Sequence, residues 1–214
     1  MIAIYGIKFI LIGLVLTIAL SLWSASKDSV LLFVLAVILA FITLFLMFFY
    51  RNPVRVVPED RNLILSIADG TILSVEEFGN EFIGNSGKKV SIFLSVFDAH
   101  INRIPVDGKI EYIKYLPGKF LKAFEKDASD CNEQTEIGLD FGSGKMIFKQ
   151  IVGILARRIE YTLDEGQIVN GGDIFGMIHF GSRAELFLPE NVEVMVKPGQ
   201  KVIAGETAIG RIKE

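Results

Sequence analysis

The chain has 214 residues, 51% of them hydrophobic, a net charge of −3, one cysteine and two histidines. That charge argues against a nucleic-acid partner, since nucleic-acid binders are usually basic. A lone Cys131 excludes an internal disulfide and a cysteine-built metal site, and two histidines leave little for a histidine-built one, so no metal is expected.

The hydrophobic excess is concentrated at the N-terminus. From Ile2 to Trp23 the only charge is Lys8, close enough to the end to reach the interface, and Val30 to Tyr50 carries none. Each run has the length of a membrane-crossing helix. Ser24–Ser29 between them is long enough only for a turn, so residues 1–50 are expected to form a transmembrane helical hairpin. A cleaved signal peptide would explain the first run but not the second. Two buried helices of a soluble domain are the alternative. Lys8 marks the start of the first span, and Arg51, Arg55 and Arg61 follow the second, while the turn holds a cancelling Lys27/Asp28 pair. The positive-inside rule therefore places both ends in the cytoplasm, at the cell membrane. Pro53 and Pro58 then bring the chain out of the membrane in extended form.

Residues 51–214 read as one mainly β domain with few short helices. Apolar alternation between glycine turns marks strands at Leu63–Ile67, Thr71–Glu76, Lys89–Ser95, Lys109–Tyr115, Met146–Leu155 and Arg157–Thr162. Phe120–Glu136 is the least regular stretch and reads as a surface loop. Asp164–Ile178 parallels Lys197–Ile212: a glycine turn, an apolar pair, a second glycine turn, an acid, then an apolar strand. Asp69-Gly70 and Asp107-Gly108 supply two further turns of one type. Such repeats resemble the barrel-sandwich domains of lipoyl and biotinyl carriers, but Val194-Met-Val-Lys197 lacks the Met-Lys-Met pattern of a biotin carrier.

Two strand-like runs, Gly176–Phe180 and Ala184–Leu188, meet at Gly181-Ser182. Glycine opens backbone dihedrals closed to other residues and leaves its carbonyl unshielded. The hydroxyl of the next residue lies near that carbonyl. A strained peptide here would allow an N-to-O acyl shift, whereas the plain alternative is a Gly-Ser bulge. A serine nucleophile needs a base. Of the two histidines, His100 sits in the polar cluster Phe97-Asp-Ala-His-Ile-Asn-Arg-Ile-Pro105, and His179 lies three residues before Ser182, facing the opposite side if the strand continued. Asp69 before Gly70 reads on its own as a turn residue.

Gly176-Met-Ile-His-Phe-Gly-Ser-Arg183, with Asp69-Gly70 and His100-Ile-Asn-Arg-Ile-Pro-Val-Asp-Gly108 upstream, resembles the short-chain phosphatidylserine decarboxylases, including archaetidylserine decarboxylase-like proteins. The likeness runs from about Tyr50 to the C-terminus. It implies a zymogen that cuts itself between Gly181 and Ser182 and turns Ser182 into a pyruvoyl cofactor. That group would form a Schiff base with a serine phospholipid, diester or archaeal ether, and release carbon dioxide to leave the ethanolamine lipid. It further implies that His100 is the base, that Asp69 orients it, and that the large and small chains stay associated. A homodimer is compatible with it. Asn132-Glu133 matches loosely an Asn-Glu pair that lies near substrate in the family, while Arg103, Arg157 and Arg158 are candidates for the phosphate or the membrane surface. His179 stands where relatives often have arginine, and Arg103 where some have a second histidine. The rival from another class is a non-enzymatic membrane adaptor with a lipoyl-like domain. A serine hydrolase would require a Gly-x-Ser-x-Gly elbow, which Phe-Gly-Ser-Arg is not.

Overall fold

The computed structural model describes residues 1–125, 127–154 and 158–213. Contacts divide it into two units, Met1–Val54 and Arg55–Glu214. The division falls just beyond the expected boundary at residue 50. Ala3 donates its N–H to the Tyr50 carbonyl (2.7 Å), Asn52 donates to Met1 (2.7 Å) and Ile2 bridges Arg51, so the first junction residues are tied to the hairpin.

The first unit is a helical hairpin, α1 (Ile4–Lys27) and α2 (Val30–Phe49). At 1.5 Å per residue they are about 36 and 30 Å long, enough to span a hydrocarbon core. Asp28 turns the chain in the left-handed region (φ 48°), and the Ser29 hydroxyl caps α2 by accepting from Leu32 N–H. The helices approach closely through small residues, since a Cβ on Gly13 would lie 2.6 Å from Thr43 Oγ1 and one on Gly6 would overlap Tyr50. Most of their large apolar side chains, among them Leu11, Leu22, Phe33 and Phe41, point outward. A helix pair buried in a soluble domain would hide these faces.

The second unit is mainly β. In chain order its strands are β1 (Leu63–Leu65), β2 (Gly70–Phe78), β3 (Gly87–Leu94), β4 (Ile101–Arg103), β5 (Gly108–Leu116), β6 (Gln134–Asp140) and β7 (Lys145–Ile151). They continue with β8 (Ile159–Tyr161), β9 (Ile168–Val169), β10 (Ile174–Ile178), β11 (Ser182–Pro189), β12 (Val192–Val194), β13 (Lys201–Val202) and β14 (Ala208–Ile212). One sheet runs β13-β2-β3-β11-β7-β6-β5-β9, and two three-stranded sheets run β1-β14-β12 and β4-β10-β8. All the pairings are antiparallel. Strand β11 lies inside the large sheet and is buried along its whole length. Its Ala184, Leu186 and Leu188 join Ile92, Leu94, Ile137 and Phe148 in the main core.

The repeat seen in the sequence is a structural repeat. Gly166 and Gly199 open its two copies, Gly172 and Gly205 close the short turns, and all four have positive φ (82°, 84°, 86° and 73°). β9 pairs with the start of β5 as β13 pairs with the start of β2. Ile110 N–H donates to Gln167 and Ile72 N–H to Gln200, both at 2.9 Å. The two remaining turns are matched in the same way. The Asp107 carboxylate accepts from Gly171 N–H (2.7 Å) and the Asp69 carboxylate from Ala204 N–H (2.8 Å).

The strand expected over Met146–Leu155 ends at Ile151, and the one expected over Arg157–Thr162 is observed at Ile159–Tyr161, with Leu155 and Arg157 outside the described residues. Within the stretch read as a loop, Ala128–Cys131 form one helical turn, α3, and β6 begins at Gln134.

Candidate active site

The run from Gly176 to Leu188 is not one strand. β10 ends at Ile178 in a small sheet and β11 begins at Ser182 in the large one, so His179, Phe180 and Gly181 carry the chain from sheet to sheet. Phe180 (φ 40°) and Gly181 (φ 68°) are both left-handed. For glycine this is easy, while for phenylalanine it costs about 1–3 kcal/mol and needs surrounding structure to hold it. The strain therefore sits on the residues immediately before the Gly181–Ser182 peptide.

Three features fix the chain there. Gly181 N–H, in the peptide just before the one to be cut, donates to His100 Nε2 at 3.1 Å. Ser182 starts β11 opposite Leu94, fully buried, and its hydroxyl has no hydrogen-bond partner among the described residues. The Gly181 carbonyl oxygen lies against Gly153, where a Cβ would overlap it. Gly153 follows Val152 just after β7, so the absence of a side chain there leaves the room the carbonyl occupies. A buried, unsatisfied hydroxyl is costly and uncommon, and it is one residue from a strained carbonyl it could attack.

His100 is fully buried at the start of the polar cluster before β4. Its Nε2 accepts from Gly181, so the ring proton is on Nδ1, directed at the Asp98 carbonyl 2.9 Å away. The imidazole is thereby held neutral, with the unprotonated nitrogen toward the cleavage peptide. The Asp98 carboxylate itself closes the preceding turn by accepting from Ser95 N–H (2.8 Å).

Just past the serine, the strand buries charge. Arg183 and Glu185 point away from the main core and form an ion pair at 2.7 Å, with side chains 6% and 0% exposed. Glu185 also accepts from the Ser129 hydroxyl of α3 and the Ser91 hydroxyl of β3, and Arg183 donates to Ser91 and to the Glu125 carbonyl. Removing one partner of such a pair typically costs about 3–5 kcal/mol. The network pins the first residues of β11 to β3 and to the loop carrying α3.

The family model for phosphatidylserine decarboxylase matches residues 42–210. A phosphatidylserine decarboxylase proenzyme of Chlorobium phaeobacteroides is 47% identical over 80% of this chain and 81% of its own length. One from Carboxydothermus hydrogenoformans is 46% identical over 85% of this chain and 86% of its own. One from Pelobacter propionicus is 38% identical over 99% and 96%. The chain belongs to the phosphatidylserine decarboxylase family.

The fold distributes the other residues expected of a family member differently from the sequence reading. Asp69 was expected to orient His100. Its carboxylate instead takes both an ion pair with Arg55 (2.6 Å) and Ala204 N–H, the bracing that Asp107 gives its own turn, and the group on His100 Nδ1 is a backbone carbonyl. Asn132 and Glu133 were expected near substrate. The buried Asn132 amide is spent on backbone: Oδ1 accepts from Leu121 N–H, and Nδ2 donates to Leu121 and Val152 carbonyls. It joins the loop to the residue before Gly153. The Glu133 carboxylate lies by the Tyr115 hydroxyl and, with burial as the larger cause, raises the Tyr115 pKa. Arg103 donates to the Gly172 carbonyl (2.8 Å) across the repeat's turn, and burial and the nearby Arg55 lower its pKa. Arg158 is paired with Glu160 at 2.8 Å, and Arg157 lies outside the described residues.

His179 is buried, with Nε2 3.4 Å from Glu160 Oε1. Burial pulls its pKa below the ordinary histidine value, against the opposing pull of Glu160. Reading alone missed Gly153, Asp98 and the Arg183–Glu185 pair. Only the pair had a sequence signal: two opposite charges inside an otherwise apolar strand.

Proposed function

We propose that the chain is a membrane-anchored zymogen that cuts itself between Gly181 and Ser182 and decarboxylates a serine phospholipid, diester or archaeal ether, to the ethanolamine lipid. The observation that carries this is the Ser182 hydroxyl, unpartnered among the described residues, next to two left-handed residues of which Gly181 donates to His100. The family relation supports the reaction class, and the outward apolar faces of α1 and α2 support the anchor.

In maturation His100 Nε2 gives up its bond with Gly181 N–H and takes the Ser182 hydroxyl proton as the oxygen attacks the Gly181 carbonyl carbon. The peptide C–N bond breaks, the Ser182 nitrogen receives the proton, and residues 181 and 182 are joined by an ester. Loss of the Ser182 Cα proton expels the Gly181 carboxylate, which leaves dehydroalanine at position 182. Water then replaces its nitrogen, released as ammonia, and a pyruvoyl group caps the new chain. The site fits that group, because residue 182 is buried at the start of a strand hydrogen-bonded on both sides. Its ketone would take up the substrate amine and act as the electron sink while carbon dioxide departs.

The protein's own residues supply the rest. His100 is the acid that returns a proton to the carbon left by carbon dioxide. β3 and β7 flank β11 over most of its length, and Arg183–Glu185 hold its first turn of sequence, so the two chains stay associated after the cut. Lys8 at the start of the first span and Arg51, Arg55 and Arg61 after the second support a cytoplasmic catalytic domain. A cysteine in place of Ser26 should then react with an impermeant thiol reagent added outside intact cells. Reaction only from the cytoplasmic side would reverse the topology.

The pair His100→Ala and Asp69→Asn separates base from brace. His100→Ala should lose maturation by about three orders of magnitude or more, the usual scale for a lost general base in a nucleophilic constellation. Asp69→Asn keeps an acceptor for Ala204 but loses the Arg55 pair, so its melting temperature should fall and maturation should slow less than in His100→Ala. Normal maturation of His100→Ala, read on a denaturing gel, would contradict the assignment.

A further inference from the structure

Beside the cleavage peptide, Gly181 and Phe180 floor a hollow of about 250 Å³ whose walls are almost wholly apolar. Three loops bring its rim together. The β3–β4 loop contributes Phe97, the β5–β6 loop Phe124 and the β7–β8 loop Ile154, which are 68%, 57% and 53% exposed. Phe124 is not loosely placed: its ring meets Phe93 edge to face at 6.0 Å. The loop carrying it is held by Asn132 and by the Ser129–Glu185 bond. Single exposed apolar side chains occur elsewhere on this domain, such as Val56 and Ile168, and call for no explanation. Three of them around the mouth of the reacting site do.

We infer that Phe97, Phe124 and Ile154 form a lip that seats in the acyl-chain boundary of the bilayer holding the substrate. This rests on the reading of the chain as a phospholipid decarboxylase. The occupant follows from the chemistry around the hollow. Its floor adjoins the peptide whose serine reacts with a headgroup. Outward of that headgroup a phospholipid carries first its phosphate and then the glycerol-linked hydrocarbon, and it is the hydrocarbon that an apolar rim fits. The rim's exposed Lys122, 6.0 Å from the Phe124 ring, suits the anionic phosphate layer at that depth. The same chain supplies two helices apolar enough to cross the membrane, so the domain works next to a bilayer. The lip lets the headgroup reach position 182 without the lipid leaving the membrane.

The test uses the full-length mature protein and the triple variant Phe97→Ser/Phe124→Ser/Ile154→Ser. Each is assayed on phosphatidylserine vesicles and on monomeric dihexanoyl phosphatidylserine. The variant's ratio of kcat/KM on vesicles to kcat/KM on the monomer should fall at least about tenfold, through KM, since three large apolar side chains leave the interface. An unchanged ratio overturns the lip, whether activity on both substrates falls together or not at all. A lost dimer with an unchanged ratio assigns the face to a second copy instead. As a check independent of the triple variant, Phe124→Trp in a Trp23→Phe background should be quenched by brominated acyl chains in reconstituted bilayers, and absence of quenching also contradicts the lip. A wild-type protein that acts on neither substrate would refute the functional reading itself, a result distinct from an unchanged ratio.

Discussion

Ser182→Ala is expected to give a folded, uncleaved and wholly inactive protein. The hydroxyl it removes is buried with no partner among the described residues, so the change in stability should stay within about 1 kcal/mol. Chemistry is lost completely, because no oxygen remains to attack Gly181 and no carbon–oxygen bond remains to become a ketone. Ser182→Cys should retain some cleavage, since a thiolate can attack the same carbonyl. Mature wild type should be inactivated by borohydride when substrate is present, and Ser182→Ala should offer borohydride nothing to trap. Decarboxylase activity in Ser182→Ala would end the account.

Gly153→Ala should stop maturation nearly as completely, at a residue with no reactive group. A Cβ there would overlap the Gly181 carbonyl oxygen, a backbone atom that can yield only by moving the peptide. Displacement of a reacting group by about 1 Å can cost on the order of 100-fold, and this displacement falls on the attacked carbonyl itself. The φ of Gly153 is not in the left-handed region, so the substitution adds no backbone strain of its own. Circular dichroism and membrane extraction should match wild type while the precursor accumulates. Wild-type cleavage in a folded Gly153→Ala protein would show that the carbonyl does not need this position.

The sequence carried the parts of this protein that obey a local rule. The hairpin is visible as two uncharged runs, and the four left-handed glycines of the repeat stand at matching places because only glycine takes that conformation cheaply. Short β4 and β6 were not separable by alternation, since Ile101–Arg103 offers too few residues and Gln134 follows an irregular stretch. The partners of Asp69 were hidden for another reason. Arg55 and Ala204 meet it through the tertiary fold, at separations no periodicity encodes, so a carboxylate before glycine could be read as brace or as orienter. Gly153 is of the same kind: its requirement comes from a carbonyl in the link between β10 and β11. Arg183 and Glu185 ran against the rule that charge lies outside, and their burial makes sense only once Ser91 and Ser129 are seen to complete the network.

The central claim is that Ser182 becomes the first residue of a separate chain. Intact-mass measurement of the purified wild-type protein tests it most directly. The account predicts two species, residues 1–181 ending in a free carboxylate and residues 182–214 starting with a pyruvoyl group in place of serine, blocked to Edman degradation. A single active species with the mass of the whole uncut chain would contradict it.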